Sequence, residues 1–319
     1  MTRVSSLGQT NFLLQDVLRV QKDLFNHQKQ TTTGMKSDTY TGIARDVGTL
    51  SGAKAILSRS EQFMSSNIEV ERRLTIYDAT MESLRDVAQE MRDNVLAAVN
   101  TDSGIAIRSQ LDNLFDTSVN LLNTRDNGRY IYSGTRTDTP PVKTSTSTAL
   151  SAITADVSTT PANVFANNSL KQQTQVDDNL NMTYGTLGED IGKDMMESMR
   201  RMFRFDNGTE NFGFGTGGPF SNPLTTDQAN FLKGELQRLN NTIDTIDKFH
   251  AKNGVNQMAI EDIQERHQQD IGFMKVFISD IEEVDIGEAI TKMQQDQVAL
   301  EASYRVLSQV SKATLLDFI

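Results

Sequence analysis

Apolar residues recur at helical spacing along both ends of this chain. From Ile286 to Ile319 they follow alternating steps of four and three residues, the pattern of a coiled-coil helix. Residues 7–28 show the same habit, and no proline interrupts either stretch. The positions that we assign to a coiled-coil assembly surface are Leu14, Leu18, Phe25, Ile286, Ile290, Met293, Leu300, Tyr304, Leu307, Leu315, Leu316, Phe318 and Ile319.

We expect the two ends to form amphipathic helices that pair with each other or with neighbouring subunits. A second apolar row, Leu13, Val17, Val20 and Leu24, runs beside the first row of the N-terminal helix. The pattern leaves a plainer alternative open, in which both segments are ordinary members of one helical bundle. An apolar C-terminus such as Leu315 to Ile319 favours the first interpretation, because it needs a partner to cover it.

The helical pattern of apolar residues stops in the middle of the chain, where the composition changes. A long helix is predicted over residues 53–99 and a shorter one over 105–125, after which residues 129–185 become rich in Thr, Ser, Asn and Val. The helical pattern returns after residue 227, with an irregular, Gly- and Phe-rich stretch over Phe203–Pro223 before it. The predicted apolar row of the long helix comprises Ile56, Phe63, Val70, Leu74, Tyr77, Met81, Leu84, Val87, Met91 and Val95.

These patterns predict a mainly α protein. Both chain ends form a long-helix coiled-coil rod, and a small β-rich domain is inserted mid-chain. The expected organisation has three parts. These are a terminal coiled-coil domain (1–36 and 285–319), a helical bundle domain with irregular loops (37–134 and 186–284) and a β-rich outer domain (135–185).

The composition narrows the class of partner. The net charge is −11 and the sequence pI is about 4.8, so we expect neither nucleic acid nor an anionic membrane as a partner. The chain has no Cys, which excludes disulfides, thiolate metal sites and a cysteine nucleophile. The first ten residues carry no apolar run of the kind found in a Sec signal peptide, and no stretch approaches the roughly 20 apolar residues of a membrane span.

No catalytic, cofactor or metal motif stands out. The three histidines, His27, His250 and His267, lack partners at metal-site spacing, and we expect them on solvated helix faces. Gly213, Gly215 and Gly218 match G-x-G-x-x-G, but no apolar strand precedes them and Pro219 follows, which indicates a loop. The sequence therefore argues for a protein that is not an enzyme and binds no cofactor.

Two segments resemble the flagellin family. The first is Asp285-x-x-Glu288-Ala289, followed by the run ALEASY over residues 299–304 and the tail LLDFI over 315–319. The second is YIYSGTRTDTPP over residues 130–141, which is similar to the family's segment at the exit from the helical domain. The connector after the first helix departs from the family pattern and keeps only the stretch TGMKSD, residues 33–38.

The resemblance implies a structural axial protein of the bacterial flagellum, with the closest similarity to proteins that join the hook to the filament. In such proteins the two terminal helices pair inside the axial tube. The implied partners are hook-associated protein 1, flagellin, further copies of this chain in a ring, and an export chaperone before secretion. The implied location is extracellular, after export by the flagellar route without a Sec signal peptide.

Three other functions stay open at this point. The first is a filament flagellin subunit. The second is a surface-binding module, such as an adhesin or carbohydrate binder, carried by the β-rich insert. The third is a cytoplasmic coiled-coil regulator.

Overall fold

Seven α-helices make up most of the part of the chain that the structure describes. The computed structural model describes residues 2–316, with side chains described from Asn11 to Gln309. The mainly α prediction, with long helices near both ends, is confirmed. The helices are α1 (Thr2–Thr33), α2 (Val47–Thr101), α3 (Ile107–Leu122), α4 (Ser147–Ala152), α5 (Gly188–Asp206), α6 (Thr226–Glu282) and α7 (Ile286–Leu316).

Strands are confined to two small antiparallel sheets in the middle of the described chain. Strand β1 (Arg125–Asp126) pairs with β2 (Arg129–Tyr130) through a turn in which Asn127 and Gly128 both have positive φ angles, 49° and 80°. Such a two-residue turn matches the twist of a hairpin and favours an Asn-Gly sequence. Strand β3 (Gln172–Asp177) pairs with β4 (Leu180–Tyr184).

Contacts along the backbone divide the chain into two compact units. The first unit comprises Met1–Gln62 and His267–Ile319, and the second comprises Phe63–Arg266. Residues 135–185 belong to the second unit together with the helices around them. The three-part domain organisation stays a prediction.

The second unit has a continuous apolar core. The predicted row of α2 supplies eight of its members, from Val70 to Val95, and all of them are buried. Helix α5 adds Met195, Met199 and Met202, which lie on one face of the helix. Helix α5 also extends to Asp206, so the stretch predicted as irregular begins later than expected, because Phe203 and Phe205 pack into this core.

A buried ionic network crosses the same unit. Arg200 donates from Nε and Nη2 to the two carboxylate oxygens of Glu197, at 2.7 Å each, and both side chains are 2% exposed. Arg200 also donates to the carbonyl of Ile153 at 3.0 Å, and Glu197 accepts the backbone N–H of Val157 at 2.8 Å. The network thus connects α5 to the segment that follows α4, and it satisfies charges that burial would otherwise make costly.

None of the helices in residues 2–316 combines the length and apolar character needed to cross a membrane.

Candidate assembly interface

Helices α1 and α7 pack against each other within the first unit. Gln21 Nε2 donates to the Tyr304 hydroxyl at 2.5 Å, and His27 Nδ1 lies 2.6 Å from Asp296 Oδ2. The residue that comes later in α1 therefore meets the residue that comes earlier in α7. The two helices are antiparallel.

Each helix turns one heptad row toward the other. The positions that are buried or half-buried on the facing sides of the two helices follow steps of four and three residues, which is the spacing of a coiled-coil seam. On α1 these positions are Leu13, Val17, Val20, Leu24, His27 and Thr31, and on α7 they are Ala289, Met293, Asp296, Leu300, Ser303 and Leu307.

The α1 side of the seam is the second apolar row of that helix and not the row that we assigned to the assembly surface. On α1 the seam uses the Leu13–Leu24 row, and Val17 is 6% exposed. On α7 the assigned residues Met293, Leu300 and Leu307 do lie in the seam and are half-buried. Periodicity finds an apolar row, but two adjacent rows on one helix are equivalent until the partner helix is known.

The remaining assigned positions whose side chains are described lie beside the seam, and among them the Tyr304 hydroxyl still accepts a hydrogen bond from Gln21 of α1. Leu14, Leu18 and Phe25 on α1 are about half to two-thirds exposed, and so are Ile286 and Tyr304 on α7; Ile290 is 37% exposed. The side chains of Leu315, Leu316, Phe318 and Ile319 lie outside the described residues. The assignment of all these positions to subunit assembly stays a prediction.

A His–Asp pair lies within the mostly apolar seam. The side chains of His27 and Asp296 are 22% and 21% exposed, so this polar contact is partly shielded from water. The expectation of a solvated His27 is therefore wrong, because the partner helix covers its face. His267 is also buried, at 4% exposed, and His250 pairs with Asp78 at 2.8 Å.

The start of the seam is fixed by the chain that joins α1 to α2. Gly34 ends α1 in the left-handed region, with φ at 72°, a conformation that favours glycine. The carbonyl of Gly34 accepts the N–H of Val284 at 2.9 Å, and Lys36 N–H donates to the carbonyl of Glu282 at 2.7 Å. These bonds tie the end of α1 to the short segment between α6 and α7.

Helix α7 then begins with a side-chain cap. Asp285 Oδ1 accepts the N–H of Glu288 at 3.1 Å, which satisfies one of the free donors at the helix start. Lys54 Nζ lies 2.6 Å from Glu282 Oε1 and connects α2 to the last turn of α6, and this bond raises the pKa of Lys54. The cap and the ion pair set the point from which α7 runs back along α1.

The described residues contain no cluster of three or more His, Asp or Glu side chains that could hold a metal ion. The α1–α7 pair has a mostly apolar seam between its two helices and exposed apolar side chains beside that seam.

Comparisons with known proteins find similarity to flagellar proteins. Residues 236–319 match the family model of the bacterial flagellin C-terminal helical region, which contains α7 and most of α6. No curated protein sequence matches the chain.

Two solved structures share the fold. A protein assigned as a flagellar hook-associated protein from Vibrio parahaemolyticus has a TM-score of 0.56 and 15% sequence identity, over 76% of this chain and 98% of its own. FlgL from Bacillus cereus has a TM-score of 0.52 and 13% identity, over 72% of this chain and 99% of its own.

Residues 236–319 thus match the flagellin C-terminal helical region, and the fold of the chain is similar to that of flagellar hook-associated proteins.

Proposed function

We propose that this chain is a structural axial protein of the bacterial flagellum that joins the hook side to the flagellin filament as a ring of subunits. The flagellin C-terminal region and the fold shared with hook-associated proteins support an axial role. We propose no enzymatic activity.

The observation that carries this proposal is the pair of open apolar rows beside the α1–α7 seam. Leu14, Leu18 and Phe25 lie exposed on α1, and Ile286 and Tyr304 lie exposed on α7. Full burial of a side chain of this size contributes about 1.5–3 kcal/mol. A ring in which each subunit covers the rows of its neighbour gains this contribution at every interface, whereas an isolated subunit leaves the rows in water.

The partners follow from this position in the axis. Hook-associated protein 1 lies on the hook side, flagellin lies on the filament side, and copies of this chain complete the ring. An export chaperone covers the apolar C-terminal segment before secretion. The chain then reaches the cell exterior by flagellar export, without using the Sec pathway.

A filament subunit is the second candidate, because the matched family region is that of flagellin itself. The two roles differ in copy number. A junction ring gives one focus at the base of each filament, whereas a filament subunit labels its whole length.

The decisive experiment places an epitope-tagged chain at its own locus and images the flagella with gold-labelled antibody. A single focus at the filament base supports the junction ring, and continuous labelling along the filament rejects it in favour of the second candidate. Absence of label from flagella rejects both.

The exposed row is tested in the same strain with the triple variant Leu14→Asp, Leu18→Asp and Phe25→Asp. We expect it to remain folded as a monomer and to be lost from the flagellum. The matched control, Asn11→Asp, Gln15→Asp and Gln28→Asp, adds the same charge at exposed polar positions of the same helix. Equal loss in both variants would show that charge on α1, and not the apolar row, blocks assembly.

A further inference from the structure

An open cleft of about 340 Å³ lies within the second unit, apart from the α1–α7 seam. It is formed by the β1–β2 hairpin, the Arg73–Tyr77 turn of α2 and strands β3 and β4. The volume is at the lower end of the range for small-molecule sites, which is roughly 300–1,000 Å³. The cleft therefore has room for a ligand of monosaccharide size.

The charge of the cleft is opposite to that of the chain. The protein carries a net charge of −11, yet the residues that line the cleft include two arginines, Arg73 and Arg129, and one acidic residue, Asp126. That carboxylate is already engaged, because Arg72 bonds both of its oxygens, at 2.5 and 2.8 Å. Asp126 therefore does not balance both Arg73 and Arg129, and the cleft keeps positive charge that an anionic ligand can neutralise.

One of the two arginines is held in place before any ligand arrives. Arg73 Nη1 donates to the Tyr184 hydroxyl at 2.8 Å and to Gln172 Oε1 at 3.4 Å, and its Nε lies 3.6 Å from Asp126. Tyr184 is itself 4% exposed, so its ring is fixed by packing. Since the Tyr184 oxygen accepts from Arg73, its own proton remains available to donate. Fixed donors lose little entropy on binding.

The second arginine is available. Arg129 is exposed on β2, directly after the Asn127-Gly128 turn, and within the described part of the chain its side chain makes no hydrogen bond or ion pair. A guanidinium group matches a carboxylate with two parallel hydrogen bonds.

The rest of the lining carries no charge and combines polar side chains with the apolar surfaces of Tyr77, Tyr130 and Ile131. Thr135, Thr137 and Gln173 supply hydroxyl and amide groups that both donate and accept hydrogen bonds. Such groups complement the hydroxyls of a ligand. We propose that this cleft binds a small hydroxylated carboxylate of the sugar-acid class, with Arg129 and Arg73 on the carboxylate and Tyr184 donating to it.

The test uses the full-length chain, with D-glucuronate as the probe and D-glucose as its uncharged counterpart, titrated by calorimetry at low salt. We expect saturable binding of glucuronate, at least about tenfold weaker binding of glucose, and a loss of affinity as salt increases. Absence of saturable glucuronate binding, or equal binding of glucose, would overturn the proposal.

Two variants separate the cleft from general surface charge. Arg129→Gln should weaken glucuronate binding by about tenfold or more while leaving the melting temperature unchanged, because the side chain is exposed and untied. Arg136→Gln removes an exposed arginine a few residues away that does not line the cleft, and it should change affinity less than twofold. An equal effect of both variants would contradict the assignment of the cleft.

Discussion

The two units of this protein differ in how far their apolar side chains are buried. In the second unit the apolar residues of α2, α3, α5 and α6 form one continuous buried cluster. In the described part of the first unit, the fully buried apolar residues are only Val17, Leu50, Ala53, Ile271 and Ala289. Most of the exposed large apolar residues of the described chain lie in that unit, including Phe12, Phe25, Phe273 and Val298.

This difference suggests different roles for the apolar residues of the two units, in folding for the second unit and in the proposed assembly for the first. Large contiguous apolar patches on a protein surface are typical of sites that bind another molecule. The second unit has a continuous buried core, whereas the first unit leaves many large apolar side chains exposed, and under the proposed function partners cover them. The comparison predicts that the same type of substitution will have different consequences in the two units.

The largest contrast is expected for phenylalanine. Phe231 is fully buried and stacks on Phe205 with ring centroids 4.0 Å apart, so Phe231→Ala should lower the free energy of unfolding by about 3–5 kcal/mol. Phe25→Ala, at a position that is 63% exposed, should leave the monomer within about 0.5 kcal/mol of the parent. Urea unfolding followed by circular dichroism measures both. Equal destabilisation would mean that α1 is part of a folding core.

Charged pairs should divide in the same way. Arg200→Met leaves Glu197 buried without its partner and should cost about 3 kcal/mol or more. The i,i+3 pair of Arg19 and Asp16 on α1 is exposed, so Arg19→Met should produce no measurable change in the unfolding midpoint. A stable Arg200→Met variant would show that the buried network is dispensable.

Glycine substitutions should differ in sign. Gly34→Ala forces a side chain into the left-handed region at the end of α1 and should cost about 1 kcal/mol. Gly52→Ala lies in helical backbone of α2 with open space around it, and it should stabilise by about 0.4–1 kcal/mol. Thermal unfolding of the two variants provides the check, and a shift in the same direction would contradict the assigned backbone conformations.

The smallest expected effect concerns acid stability. The hydrogen bonds from Arg72 hold the pKa of Asp126 below its usual value. The stability that this carboxylate contributes is therefore present above its unfolded pKa, near 3.9, and is lost as pH falls through the lower folded value. Asp126→Asn should remove this part of the acid dependence. Urea midpoints measured between pH 5 and pH 2 test it, and an unchanged pH profile would show that the pair contributes nothing.

Some of these features could be predicted from sequence and others could not. The apolar spacing of α2 from Val70 to Val95 predicted a buried face because one helix side carries all of the large apolar residues of this stretch except Ile76. The same pattern included Ile56, which is 48% exposed, since periodicity shows that a row is apolar but not whether something covers it.

Long-range pairing was beyond the sequence for a related reason. His27 meets Asp296 from the far end of the chain, and Arg73 meets Tyr184 across the middle of the second unit. In both pairs the two residues lie far apart in the sequence, so no local spacing of residues predicts the contact. Both depend on how the helices and hairpins pack, so neither the choice of seam nor the cleft could be predicted before the fold was known.

The most direct test of the division between the two units is limited proteolysis of the purified monomer, with mass spectrometry of the fragments. Cleavage requires local opening, which is easiest where few apolar contacts are buried. The account predicts early cleavage within residues 1–62 and 267–319 and a resistant fragment close to Phe63–Arg266. Early cleavage inside that fragment, with both ends of the chain protected, would contradict the claim that the first unit becomes stable only when partners cover its apolar rows.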